Sequence, residues 1–127
     1  YGFIVPNTRT FAVVGSSAAI KGGIGYKITQ DNGNLCGGPC PYLSDEVYNY
    51  IWLFDMDEIL NAENIYEPRP YYYGKWPQPY DDNGQNRIIG ASYDTQEGAL
   101  YLAISGAGQT GSYDKDPVIN KFSVNKD

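Results

Sequence analysis

The chain has 127 residues, the size of one domain and too short for two cores of ordinary size. Nine Lys plus Arg against 15 Asp plus Glu leave a net charge of −6, which argues against nucleic-acid binding through clustered cations. His is absent, and with it the commonest general base, every Ser-His or Cys-His nucleophile pair and the most frequent zinc ligand.

Fifteen Gly, 8 Pro and 13 Tyr describe a turn-rich chain of aromatic strands, not a helical bundle. No apolar run is long enough for a membrane span. The start, Tyr-Gly-Phe-Ile-Val-Pro, carries no Met, basic segment or cleavage site, so the sequence reads as a processed chain or a piece of something longer.

Period-2 runs bounded by Gly, Pro, Asn and Asp recur along the chain. Residues 1–5 and 10–14 read as strands joined by the turn Pro6-Asn7-Thr8-Arg9. Ile24, Tyr26 and Ile28 alternate with Gly25, Lys27 and Thr29 in a half-buried strand, and residues 50–56 form a buried aromatic one. Residues 57–64 read as the one helix, opened by Asp57 and Glu58 and of one or two turns. Residues 71–76 follow as a short or edge strand, flanked by Pro68 and Pro70 on one side and Pro77 and Pro79 on the other.

In the second half, residues 88–93 and 99–104 read as a hairpin around the loop 94–98, with Leu100, Leu102 and Ile104 on one face. A Gly-rich loop is expected at 105–111, then a last strand in which Val118, Asn120, Phe122 and Val124 alternate with Ile119, Lys121 and Ser123. Phe11-Ala12-Val13-Val14-Gly15-Ser16 parallels Leu102-Ala103-Ile104-Ser105-Gly106, and Ile51-Trp52-Leu53-Phe54-Asp55 parallels Ile119-Asn120-Lys121-Phe122-Ser123. The expected fold is therefore all-β: antiparallel meander sheets resembling about two β-propeller blades. Residues 1–127 form one domain, with a four-stranded unit at 1–80 carrying a Cys-containing insertion and an incomplete unit at 87–127.

Three stretches carry a resemblance. Ile88-Ile89-Gly90-Ala91-Ser92-Tyr93-Asp94, then Gly98-Ala99-Leu100-Tyr101-Leu102-Ala103-Ile104, then Pro117-Val118-Ile119-Asn120-Lys121-Phe122-Ser123-Val124 resemble blades of secreted bacterial β-propeller-like proteins. Trp52-Leu53-Phe54-Asp55-Met56-Asp57-Glu58-Ile59-Leu60, ending in Arg69-Pro70-Tyr71, looks like the matching strand and short helix of a preceding blade. The resemblance implies an extracytoplasmic β-rich module with no catalytic residue to carry over. A closed propeller needs at least four blades, and this chain holds under two.

Cys36 and Cys40 enclose Gly37-Gly38-Pro39, whose permissive and fixed φ angles suit a tight loop that brings the sulfurs together. A disulfide is the expected state, ahead of a free thiol pair, and it points outside the cytosol. Two Cys without His cannot build a zinc site. Asp81, Asp82 and Asn83 resemble a fragment of a calcium loop, but Asn86 and Ser92 stand at the sixth and twelfth positions where an EF-hand needs Gly and Glu. A polar turn is the expectation there, and no metal or other cofactor is expected. Trp52, Tyr71, Tyr73, Trp76 and Tyr80 form the densest aromatic group, a candidate sugar platform of which strand alternation buries about half. The carboxylate pairs Asp55/Asp57 and Asp94/Glu97 do not rise above background as glycosidase pairs.

The expected function is a secreted, non-enzymatic structural, assembly or binding module. A carbohydrate-binding domain with a glycan partner is the alternative, and a fragment of a propeller hydrolase the third reading. Expected partners are further copies or another chain of the same assembly. The assembly edge is placed at Tyr1, Phe3 and Val5 together with Val118, Phe122 and Val124. Residues 125–127 are too short and polar to add a fourth strand to the second unit, so residues 1–5 are expected to pair there, within the chain or in a neighbour.

Overall fold

The computed structural model describes residues 1–124, so the expectation for 125–127 lies outside the described residues. In chain order the elements are β1 (Gly2–Ile4), β2 (Thr10–Ala18), β3 (Ile24–Tyr26), β4 (Pro39–Pro41), β5 (Val47–Asp55), α1 (Met56–Asn61), β6 (Tyr72–Lys75), β7 (Ile88–Asp94), β8 (Ala99–Gln109) and β9 (Lys115–Ser123). All strand pairs are antiparallel. They form a four-stranded sheet ordered β1-β2-β5-β6, a three-stranded sheet ordered β7-β8-β9, and the small β3-β4 pair. The protein is all-β with one short helix, as the alternation predicts. Among the described residues the sheets close into neither a barrel nor a propeller ring.

The two large sheets share one core. Val14 of β2 packs with Ile88, Leu100, Leu102 and Ile104 of the second sheet, with Ile51 and Ala91 against them. Leu102 and Ile104 are fully buried, and each stands on the face that alternation assigns to the interior. At one side Phe3 stacks on Tyr93 with ring centroids 5.2 Å apart; at the other Trp76 meets Phe122 at 5.7 Å. These contacts lay β1 over β7 and the end of β6 over β9.

Three features depart from the sequence expectation. First, β1 pairs with β2, in the register Gly2↔Val13 to Ile4↔Phe11, so within the chain it does not close on the last strand. The turn between them decides this: Val5 and Thr8 hold it through Thr8 N to Val5 O (3.2 Å) and Val5 N to Thr10 O (2.9 Å), and closing so short a loop costs little. Second, residues 105–109 continue β8 as strand. A register break between Ile104 and Gly108, with Gly106 at φ +65°, absorbs the Gly-rich stretch as a bulge, so ladder pairing resumes at Gly108↔Asp116. Third, the partner of β3 is the Pro-Cys-Pro strand β4, which carries no apolar alternation to reveal it. The helix is also shorter than 57–64. It begins at Met56, where the Asp55 carboxylate accepts the Asp57 N–H at 2.7 Å.

Cys36 and Cys40 form a disulfide across a Cα–Cα distance of 6.4 Å, at the entry to β4. Closing this small loop is worth about 2 kcal/mol on the loop-entropy scale. Urea midpoints of the oxidised and the reduced, alkylated chain are expected to differ accordingly; equal midpoints would show that the bridge constrains nothing.

Candidate functional site

Two places combine exposure with organised chemistry. The first is the outer edge of the second sheet. Val124 N donates to Gly98 O at 2.8 Å, and the β8–β9 register runs without a break from Ser123 to Val118. Alternation then turns the N–H groups of Ile119, Lys121 and Ser123 away from β8. Pro117 shares that parity and has no N–H to present. Among the described residues no strand lies beyond β9. Its one charge in 118–124, Lys121, is engaged: its ammonium donates to the Glu97 carboxylate at 2.8 Å, and so does the Tyr101 hydroxyl. The Lys121 bond, followed by that of Tyr101, holds the Glu97 carboxyl below its ordinary range, and Glu97 in turn raises Lys121.

The expected assembly residues fall on both sheets. Tyr1 and Phe3 reach the second sheet through side chains only: the Tyr1 hydroxyl accepts the Tyr93 N–H at 3.0 Å, while the Tyr1 carbonyl accepts the Val14 N–H at 2.8 Å. Val5 closes the turn into β2. Phe122 and Val124 pack against the core, and Val118 stands opposite Ile104 on β8.

The second place is a cleft of about 620 Å³ lined by Asp45, Tyr48, Lys75 and the loop Asp81 to Gln85. Lys75 lies over the Tyr48 ring, its nitrogen 3.6 Å from the centroid. The cleft floor is Asn49, a buried side chain that the sequence reading did not single out. It accepts the Ile88 N–H at 2.9 Å and donates to Asn86 O at 3.1 Å and to the Asp81 carboxylate at 3.3 Å. Asp81 is itself buried and also accepts the Gln78 N–H at 2.8 Å. Tyr80, Asp82 and Asn83 all adopt positive φ, and Gly84 at φ +90° brings its backbone against β5. The calcium-loop candidates are thus divided: Asp81 faces protein donors, while Asp82 and Asn83 are exposed. Among the described residues no group of three or more carboxylate or thiol side chains is placed to hold a metal.

The five aromatic candidates also separate. Trp76 is half-buried and packs against the core and Phe122. Trp52 and Tyr73 lie on the opposite, outer face of the first sheet, clustered through Tyr50, whose ring is 4.8 Å from Trp52 and 6.5 Å from Tyr73. Tyr71 shares its hydroxyl with Thr10 at 2.7 Å, and exposed Tyr80 stands in the loop of the cleft. The carboxylates weighed as acid pairs have structural partners: Asp55 caps α1, Asp57 pairs with Arg9, Asp94 accepts the Gln96 N–H and Glu97 bonds Lys121.

The fold and these surfaces define an all-β protein of two packed antiparallel sheets with an open strand edge. Comparison with protein-family models, with curated proteins and with solved structures finds no match for the chain.

Proposed function

We propose that this is a non-enzymatic assembly module, extracytoplasmic and blade-like, that associates with further copies at the open edge of its second sheet. One observation carries the reading: residues Val118 to Ser123 of β9 pair in unbroken register with β8 and, among the described residues, with no strand on the other side, so the Ile119, Lys121 and Ser123 donors turn outward. Proteins usually cover, twist or charge such an edge, and here the one charge of the stretch 118–124, Lys121, is neutralised by Glu97. The Cys36–Cys40 disulfide supports a location outside the cytosol. A strand of a second copy satisfies the outward donors and acceptors as strand addition does elsewhere.

Light scattering across protein concentration tests this on the full chain. The mass is expected to exceed one chain and to fall in Lys121→Pro, which deletes an outward donor and the side-chain bond to Glu97 but spares the backbone ladder to β8. Ser123→Pro supplies the same block should Lys121→Pro lose its cooperative unfolding transition. A chain that stays monomeric up to near-millimolar concentration, or a mass unchanged by a folded proline variant, overturns the reading.

A further inference from the structure

The polar groups of the cleft above Asn49 divide into spent and unspent. The floor is spent: the Asn49 amide serves Ile88, Asn86 and Asp81, and the Asp81 carboxylate also holds the Gln78 N–H. The walls are not. Asp45, Asp82 and Asn83 line the cleft and are exposed, and among the described residues their side chains make no hydrogen bond or ion pair. Lys75 lines it too, yet pairs with none of its carboxylates. Its ammonium instead lies on the Tyr48 ring, 3.6 Å from the centroid, with its N–H donors unspent.

This arrangement is set by the fold alone. Asp82 and Asn83 hold φ of +48° and +54°, in the left-handed region that Asp and Asn enter more readily than other side chains. Buried Asp81 on one side and Gly84 against β5 on the other leave the loop no room to relax. Acceptors on the loop and a donor on β6 are thereby held apart, despite their opposite charges, across an open volume of about 620 Å³. Pockets for small organic ligands are of this size.

The lining selects by charge. An anion meets Asp45, Asp81 and Asp82, and a cation meets Lys75. A neutral ligand with neighbouring hydroxyls escapes both penalties, because each hydroxyl donates and accepts at once. It gives protons to the Asp45 or Asp82 carboxylates and takes them from Lys75 or the Asn83 amide. Pro77 and Tyr48 supply apolar wall for its C–H groups. We infer that this cleft binds a saccharide, with a sugar ring against Pro77 and Tyr48 and its hydroxyls shared between Lys75 and the Asp82–Asn83 turn. The site lies apart from the β9 edge, and its occupancy does not depend on assembly.

Amide chemical shifts of the full chain test this. The probes are the tetrasaccharides of cellulose, starch, xylan, mannan and chitin, each titrated through the millimolar range beside its own monosaccharide. At least one is expected to shift the amides of Tyr48, Lys75 and Asp82 to Gln85 saturably. Equal shifts from the monosaccharide support a single-ring site, and shifts from the tetrasaccharide alone a chain-binding one. Lys75→Met keeps the stem on Tyr48 but removes the donors; Asp82→Gly suits the positive φ but removes the carboxylate. Each is expected to weaken binding by about tenfold or more. Should Asp82→Gly lose the dispersed spectrum of a folded chain, Asp82→Asn removes the charge with the backbone kept, and weaker binding is again expected. Tyr73→Ala, on the outer aromatic face, is expected to bind as wild type does. The site is overturned if no sugar gives a saturable shift, if the shifts centre on Trp52 and Tyr73, or if folded Lys75 and Asp82 variants bind unchanged. Tetramethylammonium or sulfate seating in the cleft where no sugar does overturns it as well.

Discussion

Replacing Asn49 with Ala is expected to lower the unfolding free energy by about 3–4 kcal/mol, a large share of the 5–15 kcal/mol typical of such a domain. The side chain is 2% exposed and serves three elements at once: β7 through Ile88 N, and the cleft loop through Asn86 O and Asp81. Removal strands the buried Ile88 N–H, which keeps its desolvation cost without its bond, and leaves the buried Asp81 carboxylate with the Gln78 N–H but without its Asn49 donor. Denaturant midpoints at constant slope measure the loss. Asn49→Asp provides a sharper arm: it retains an acceptor for Ile88 but sets a second carboxylate against Asp81. It should therefore recover stability as pH falls. A loss below about 1 kcal/mol for Asn49→Ala would mean that water replaces all three bonds, and that Asn49 does not join the sheets.

Gly84→Ala is expected to cost on the order of 3 kcal/mol for a different reason. A Cβ there falls 2.2 Å from the Val47 carbonyl oxygen and 3.2 Å from the Tyr48 Cα, both backbone atoms of β5, at a φ of +90°. No side chain can step aside, so the loop must lift off β5 and pull Asp81 away from Asn49. The two substitutions damage one joint. Their double variant is accordingly expected to lose less than the sum of the singles, and strict additivity would show that loop and floor are independent.

Much of this fold was legible because period-2 alternation is a direct record of one-sided burial. Leu100, Leu102 and Ile104 read as one face and form that face. What alternation cannot supply is which side of a sheet a parity lands on. Trp52 and Trp76 looked equivalent as aromatic platform candidates, yet Trp76 pairs in line with Asn49 and turns to the core while Trp52 turns outward; only the register of β5 against β6 tells them apart. Residues 105–109 read as loop because Gly and Ser are poor strand formers, and the ladder with β9 overrides that local preference. The cleft floor was hidden for the opposite reason. Asn49 sits between Tyr48 and Tyr50 in an apolar run, where a lone amide gives no periodic signal. Its role depends on Asp81 and Ile88, more than 30 residues away. Glu46 is a like case, a buried carboxylate whose oxygens accept Lys21 N and Gly22 N across a turn far back in the chain.

The spacing of the sheets along the chain has a consequence in time. The second sheet is made of neighbours: β7 reaches β8 across Asp94 to Gly98, and β8 reaches β9 across the few residues after Gln109. In the first sheet, β2 must find β5 from Ala18 to Val47, across an excursion that holds the disulfide and the β3-β4 pair. Closing long loops before any contact rewards them is what slows β proteins. The second sheet is therefore set to condense first, presenting Leu100, Leu102 and Ile104 as a ready surface. The β2–β5 pair then docks on it as the late step. Until it does, that apolar surface stands open, and this interval is when a nascent molecule is most exposed to misassociation.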